Sequence, residues 1–208
     1  MILEFISNFI LSIIQSIGYI GIFFLMTLQS LNIPIPSEIT MPFAGFLAGQ
    51  GVFSFWFVVF AGALGSLAGS LISYHIASAL LRRGYLEKHW TLKIIFNPDS
   101  IKSAENWFER YGHFSIFFGR MIPVVSTFIS FPAGLAKMEL KRFAVLTFAG
   151  AFVWCFILAW LGSMLGENWA TLRSYFEQFE YVILFLIIAS IIGVVWHRVR
   201  GVESKVKI

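Results

Sequence analysis

The chain has 208 residues, of which 58% are hydrophobic and 12% are charged, and its formal net charge is +4. A soluble domain of this length cannot hide so much apolar surface, so the composition excludes an ordinary soluble protein and predicts an integral membrane protein. The positive charge does not indicate nucleic-acid binding, because no Lys or Arg precedes Arg82. The basic residues instead flank apolar runs, as they do on the cytoplasmic side of membrane proteins.

Apolar runs of spanning length recur along the chain. We predict four spanning helices, in residues 9–28, 53–81, 143–165 and 181–196, because a helix needs about 20 apolar residues to cross a bilayer core. Residues 83–110 mix charged and aromatic side chains, which predicts a linker at the cytoplasmic interface. A basic cytoplasmic tail follows in residues 197–208.

Residues 31–50, between the first two spanning runs, cannot form one continuous helix, because prolines lack the backbone N–H and disfavour helical geometry at the preceding residue. These prolines are Pro34, Pro36 and Pro42. Glu38 lies among them as the only charged residue in residues 5–81. Non-helical backbone at membrane depth is stable only inside protein or beside a wet cavity, and an acid there indicates a functional site.

Residues 114–137 are a second interrupted apolar segment, and its charge has the opposite sign. Arg120 is the only charged residue before Lys137, and Pro123 and Pro132 break the helical pattern. A lipid phosphate crossing the bilayer would need a cation and hydrogen-bond donors in place of water. Arg120 supplies a planar fork that matches phosphate oxygens, and further donors are the hydroxyls of Ser37, Ser126, Thr127 and Ser130.

The two interrupted segments belong to an internal repeat. At an offset of about 89 residues, the positions of Pro34, Ala44 and Gly45 correspond to those of Pro123, Ala133 and Gly134. At an offset of about 88, residues 60–63 (Phe-Ala-Gly-Ala) correspond to residues 148–151, which have the same sequence. In each half a Pro-broken segment is therefore followed by a long helix.

The charges then set the orientation of each segment. If the basic regions are cytoplasmic, residues 114–137 start and end on that side and form a re-entrant hairpin, and residues 31–50 dip in from outside. We therefore predict an all-α integral membrane protein, an inverted repeat with two Pro-broken re-entrant helical hairpins and about four spanning helices. Repeat 1 covers about residues 9–82 and repeat 2 about residues 111–165. This plan brings Glu38 and Arg120 together near the midplane.

Three motifs carry a resemblance to a known family. They are Pro34-Ile-Pro36-Ser37-Glu38, Gly65-Ser-Leu-Ala-Gly69 followed by Tyr74, and Phe118-Gly-Arg120-Met-Ile-Pro123 running on to Ala133-Gly134 and Met138. In this order they resemble the DedA family of bacterial inner-membrane proteins, which shares its domain with eukaryotic scramblases of the VTT type. The resemblance covers about residues 10–195.

The resemblance implies a transporter that moves undecaprenyl phosphate across the bacterial cytoplasmic membrane with proton coupling, without a cofactor or metal. It implies a functional carboxylate at Glu38 and a substrate-binding guanidinium at Arg120. The family usually has a second arginine where this chain has Ser126, and often an acid where this chain has Ser70. The replacement cation could come from Arg110, His113 or Lys137, and a homo-oligomer is left open.

Glu38 has two opposed roles open to it. Burial favours the protonated carboxyl, which would carry a proton, whereas pairing with Arg120 favours the carboxylate and competes with phosphate. We expect a switch between the two, although the pair could also be purely structural. At the level of function the alternatives are a proton-coupled ion or small-cation antiporter and a non-selective phospholipid scramblase. A phosphatase is disfavoured because the four histidines are scattered along the chain.

Overall fold

The structure is a computed structural model that describes residues 2–33, 35–82, 106, 108, 112, 114–122 and 125–165. In this part of the chain every regular element is a helix. In chain order the helices are α1 (Ile2–Ser30), α2 (Ser37–Gly49), α3 (Phe55–Arg82), α4 (Ser115–Gly119), α5 (Val125–Phe128), α6 (Ser130–Leu135) and α7 (Leu140–Leu165). The chain divides into two compact units, and the contacts given below lie within the larger one, Glu4–Gly166.

Three of these helices are long and apolar enough to cross a membrane: α1, α3 and α7. They confirm three of the four predicted spanning helices. The fourth, predicted for residues 181–196, lies outside the described residues, as do the tail and nearly all of the linker. Large apolar side chains such as Phe57, Leu64 and Val145 are exposed on the long helices, as expected for surfaces that face lipid rather than water.

The chain breaks where the prolines predict a break. Helix α1 ends at Ser30, and Pro36 is the N-cap residue of α2. Asn32 lies in the left-handed region with φ of 68°, a conformation that asparagine tolerates better than most residues. Residues 31–50 thus contain one helix, α2, and not both limbs of the predicted hairpin, because α1 extends to Ser30. Any hairpin here takes its other limb from α1.

Helices α3 and α7 run antiparallel. Near the start of α3, Phe55 packs edge-on against Phe156 at a ring-centroid distance of 5.6 Å. Farther along α3, Tyr74 stacks on Phe143 at 5.0 Å. The C-terminal end of α3 therefore lies beside the N-terminal end of α7, which puts the basic ends of both helices on the same side of the molecule.

Helices α2 and α6 each pack closely against a long helix. A Cβ atom added to Gly45 of α2 would lie 2.0 Å from the carbonyl oxygen of Ala159 in α7. One added to Gly134 of α6 would lie 2.5 Å from the carbonyl oxygen of Tyr74 in α3. Backbone cannot yield at such distances, so only glycine fits at either position. Ser78 of α3 also donates a hydrogen bond of 3.0 Å to the Gly134 carbonyl.

Candidate functional site

Arg120 is buried immediately after helix α4, with 3% of its surface exposed. Its Nη1 donates to the carbonyl oxygen of Ser126 at 2.9 Å, and its Nη2 donates to Ser130 Oγ at 2.6 Å. Gly150 of α7 makes room for the arginine stem, because a Cβ there would lie 3.0 Å from the Cβ of Arg120. Three elements therefore fix the guanidinium in one place.

The Arg120 guanidinium has no counter-charge among the described residues. The only ion pair formed within this part of the chain joins Arg142 to Glu139, and both of those side chains are largely exposed. Both hydrogen-bond acceptors of Arg120 are neutral, and its Nε is buried without a partner. A buried, uncompensated charge costs about 3–5 kcal/mol when a partner is lost. The arginine therefore lacks the negative charge that would normally compensate a buried cation.

A small cavity lies beside Arg120. Its volume is about 10 Å³, room for about one water molecule. Ser66 is the twelfth of the 28 residues of α3, and Cys155 is the sixteenth of the 26 residues of α7, so the cavity lies near the middle of both long helices. Its lining residues are Met26, Gln29, Ser30, Ser66, Arg120, Ser126, Ala151, Trp154 and Cys155.

The end of α1 and the second interrupted segment both contribute residues to the lining of this cavity. Gln29 and Ser30 come from the end of α1, directly before the first segment, and Gln29 Nε2 donates to Ser37 Oγ at 3.4 Å. Arg120 and Ser126 come from the second segment. The end of α1 and the second interrupted segment therefore meet beside the middle of α3 and α7, whereas no described residue of 31–50 lines the cavity.

The chemistry of the lining favours anions over cations. Two buried nitrogen atoms have no hydrogen-bond partner in this region, Arg120 Nε and Trp154 Nε1, and both side chains line the cavity. Each of these groups can only donate. Among the described residues, no Asp or Glu lines the cavity. Such a set of donors matches the acceptor oxygens of an oxyanion such as phosphate.

Glu38 occupies a different position. It lies in the first turn of α2, half-buried, and it does not line the cavity. The helix dipole favours a carboxylate in this turn. In this structure Glu38 and Arg120 do not form an ion pair, since no acidic oxygen of the described residues lies within 4 Å of the guanidinium.

The structure brings some of the other predicted residues to the site and leaves others outside it. Ser126 and Ser130 hold Arg120, and Ser37 is buried at the start of α2. Thr127 is half-buried beyond the cavity lining, and the side chain of Lys137 is exposed. Among the predicted hairpin residues, Pro36, Pro42, Pro132 and Gly134 lie at or inside α2 and α6. Pro34, Pro123, Arg110 and His113 lie outside the described residues.

Sequence reasoning missed six polar or polarisable residues of the lining: Met26, Gln29, Ser30, Ser66, Trp154 and Cys155. One signal could have found two of them. Ser66 and Trp154 are 88 residues apart, which is the offset of the internal repeat. Equivalent positions of the two halves thus lie on the same cavity. Gln29 and Cys155 carry no comparable signal.

Comparison with known proteins identifies a family and several bacterial relatives. Residues 35–164 match the family described as the VTT domain. The undecaprenyl phosphate transporter A of Staphylococcus aureus is 28% identical over all of this chain and 98% of its own length. The Bacillus subtilis protein of the same name is 31% identical over 88% of this chain and 89% of its own length. An alkaline phosphatase-like protein of Lactococcus lactis subsp. lactis is 34% identical over 86% of this chain and 85% of its own length. No solved structure matches the chain at a significant level.

Proposed function

Because the chain belongs to the VTT-domain (DedA) family, we propose that it translocates an anionic lipid phosphate, and undecaprenyl phosphate in particular. It is a multi-pass protein of the bacterial cytoplasmic membrane. The observation that carries the proposal is the buried Arg120 guanidinium, which has only neutral partners beside a cavity halfway along the long helices. A phosphate headgroup would supply the missing negative charge.

The proposed architecture is an inverted repeat of two re-entrant hairpins. The first would pair the end of α1 with α2, and the second would pair α4 with α5 and α6. Two observations support this. Helices α3 and α7 run antiparallel. Gly45 and Gly134, which correspond in the repeat, each pack against the long helix of the opposite half.

The proposed path lets the headgroup pass between the hairpin tips while the polyprenyl tail stays in lipid. A cavity of about 10 Å³ cannot hold a phosphate, so this structure corresponds to a closed state. The tips must part on one side to admit the headgroup and on the other to release it. The weak hydrogen bond between Gln29 and Ser37, at 3.4 Å, is one contact that such an opening would break.

We assign proton coupling to Glu38. In the empty carrier its carboxylate would move to pair with Arg120, and protonation would release the guanidinium when phosphate arrives. The pair is not formed in the closed state described here, so the switch requires movement of α2. The Glu38 side chain is half-buried, and no described residue forms a hydrogen bond or ion pair with it, so no such contact opposes this movement.

The proposal is tested with purified protein in liposomes that carry a labelled polyprenyl phosphate in one leaflet. We expect wild-type protein to move the phosphate across the membrane at a rate that varies with pH, while phosphatidylethanolamine stays in place. Equal movement of both lipids without pH dependence would instead indicate a non-selective scramblase. Proton-driven uptake of a small cation would indicate an antiporter, which the donor-rich cavity disfavours.

The name of the Lactococcus relatives raises the possibility of hydrolysis. We propose transport rather than an enzymatic activity, because the donors at the cavity belong to arginine, tryptophan, glutamine and serine. Among the described residues, no three His, Cys, Asp or Glu side chains are placed to share a metal ion. Release of inorganic phosphate from the labelled lipid, lost in an Arg120→Ala variant, would contradict the transport assignment.

A further inference from the structure

We propose that Trp154 is a second ligand of the headgroup phosphate, donating its indole N–H beside Arg120. This inference rests on the proposed function, because it assigns a further binding residue to the same cavity. The indole nitrogen is buried and has no hydrogen-bond partner, although the side chain lines a cavity with five polar neighbours. A tryptophan used only for packing would normally pair this N–H or expose it to water.

The position of Trp154 on α7 supports the assignment. Gly150 and Trp154 are four residues apart on one helix, so they lie on the same face one turn apart. Gly150 contacts the stem of Arg120. The indole therefore occupies the next turn of the helix face that packs against the arginine. The two side chains that carry the unpartnered donors thus line one small space.

The two nitrogen atoms without a hydrogen-bond partner, Arg120 Nε and Trp154 Nε1, also restrict the chemical class of the ligand. Arginine and indole nitrogens can only donate, so whatever fills the cavity must bring acceptor oxygens. A phosphate group has several such oxygens in a tetrahedral arrangement, and once the hairpin tips have parted to admit it, it can accept from both nitrogens while binding the remaining polar groups. Those groups are the side chains of Gln29, Ser30, Ser66 and Ser126. They are all more than nine-tenths buried, so ordered donors, and not bulk water, would surround the phosphate.

Binding of two soluble probes to detergent-purified protein tests the assignment. The probes are farnesyl phosphate, which carries a short lipid tail, and inorganic phosphate, and farnesol serves as a tail without a phosphate. We expect Trp154→Phe to weaken farnesyl phosphate binding about 10-fold, the effect of losing one hydrogen bond to a charged group. Trp160→Phe is the matched control, because Trp160 lies on the same helix with 45% of its surface exposed, and it should bind as wild type does.

A second variant separates loss of the donor from loss of packing. Trp154→His keeps a ring N–H on a smaller side chain, so it should recover part of the affinity that Trp154→Phe loses. If Trp154→His and Trp154→Phe are equally weak, or if Trp154→Phe binds farnesyl phosphate as tightly as wild type does, Trp154 is not a phosphate ligand. A single bound water would then account for the cavity.

The same assay distinguishes this inference from the proposed function. If wild type binds farnesyl phosphate, Arg120→Ala abolishes binding and Trp154→Phe has no effect, the inference fails and the proposed function stands. If wild type binds neither probe, both fail. If inorganic phosphate binds as tightly as farnesyl phosphate and both depend on Trp154, the ligand assignment holds and the lipid assignment is wrong.

Discussion

The two interrupted segments carry opposite charges in very different surroundings. In residues 114–137, Arg120 is almost completely buried, has no charged partner among the described residues and donates two hydrogen bonds to neutral acceptors. In residues 31–50, Glu38 is half-buried at the first turn of a helix, and its side chain forms no hydrogen bond or ion pair with a described residue. The difference supports our proposal that the cation is a fixed part of the site and that the acid moves.

Elementary electrostatics explains this asymmetry. A guanidinium keeps its charge in a protein, so a buried one requires a fixed set of hydrogen-bond acceptors and, in the substrate-bound state, an anion. A carboxyl group can become neutral by taking a proton, so it tolerates an apolar setting without a dedicated partner. The segment with the arginine is therefore expected to bind substrate, and the segment with the acid to respond to protons.

The largest effect should come from Arg120. Replacing it by Ala removes the one cation that the described residues place at the cavity and should reduce lipid-phosphate transport at least about 100-fold, because several charge-assisted hydrogen bonds are lost together. Arg120→Lys keeps the charge without the fork and should retain an intermediate rate. Liposome transport rates measure both, and equal rates in Arg120→Ala and wild type would remove the arginine from the mechanism.

The next largest effect should be a loss of stability when the packing between the two halves is disturbed. Gly45→Ala places a Cβ against the backbone of Ala159 and should destabilise the protein by about 3 kcal/mol or more, because backbone cannot relax as a side chain can. Gly134→Ala should act similarly if the two halves are equivalent. Thermal unfolding in detergent measures this. Ala48→Ser is the control, since it adds one atom at a half-buried site of α2, and a stable Gly45→Ala variant would contradict the close crossing.

Glu38 should affect pH dependence more than the maximal rate. Glu38→Gln imitates the protonated acid and cannot release a proton, so we expect transport whose rate no longer varies with pH. Glu38→Asp keeps the titratable group and should keep a pH dependence. Lipid-phosphate transport rates measured in liposomes across a pH series test both variants. Full rate together with the wild-type pH dependence in Glu38→Gln would refute the coupling role.

The smallest effect separates two serines that both touch Arg120. Ser130 accepts through its hydroxyl, so Ser130→Ala removes the bond and should weaken phosphate binding about 10-fold. Ser126 accepts through its backbone carbonyl, so Ser126→Ala keeps that bond and should change binding less than about 3-fold. Farnesyl phosphate titrations compare them, and the reverse order would show that Arg120 is held differently.

Local sequence patterns predict much of the fold. Runs of apolar residues predict the long helices, and prolines predict the break before α2, because both effects act within a few residues. The extent of α1 was missed, since only packing decides whether a helix continues to Ser30. Arg120 stood out as a lone charge, whereas Trp154 and Gln29 look like ordinary residues of apolar helices. Their role depends on contacts between distant segments, which no local pattern encodes.

The central claim is that Arg120 binds the phosphate of a membrane lipid inside the bilayer. Mass spectrometry of lipids that co-purify with the protein from bacterial membranes tests it most directly. We expect undecaprenyl phosphate to be enriched with wild-type protein and lost from a folded Arg120→Ala variant. Equal amounts in both preparations, or enrichment of bulk phospholipid alone, would contradict the claim.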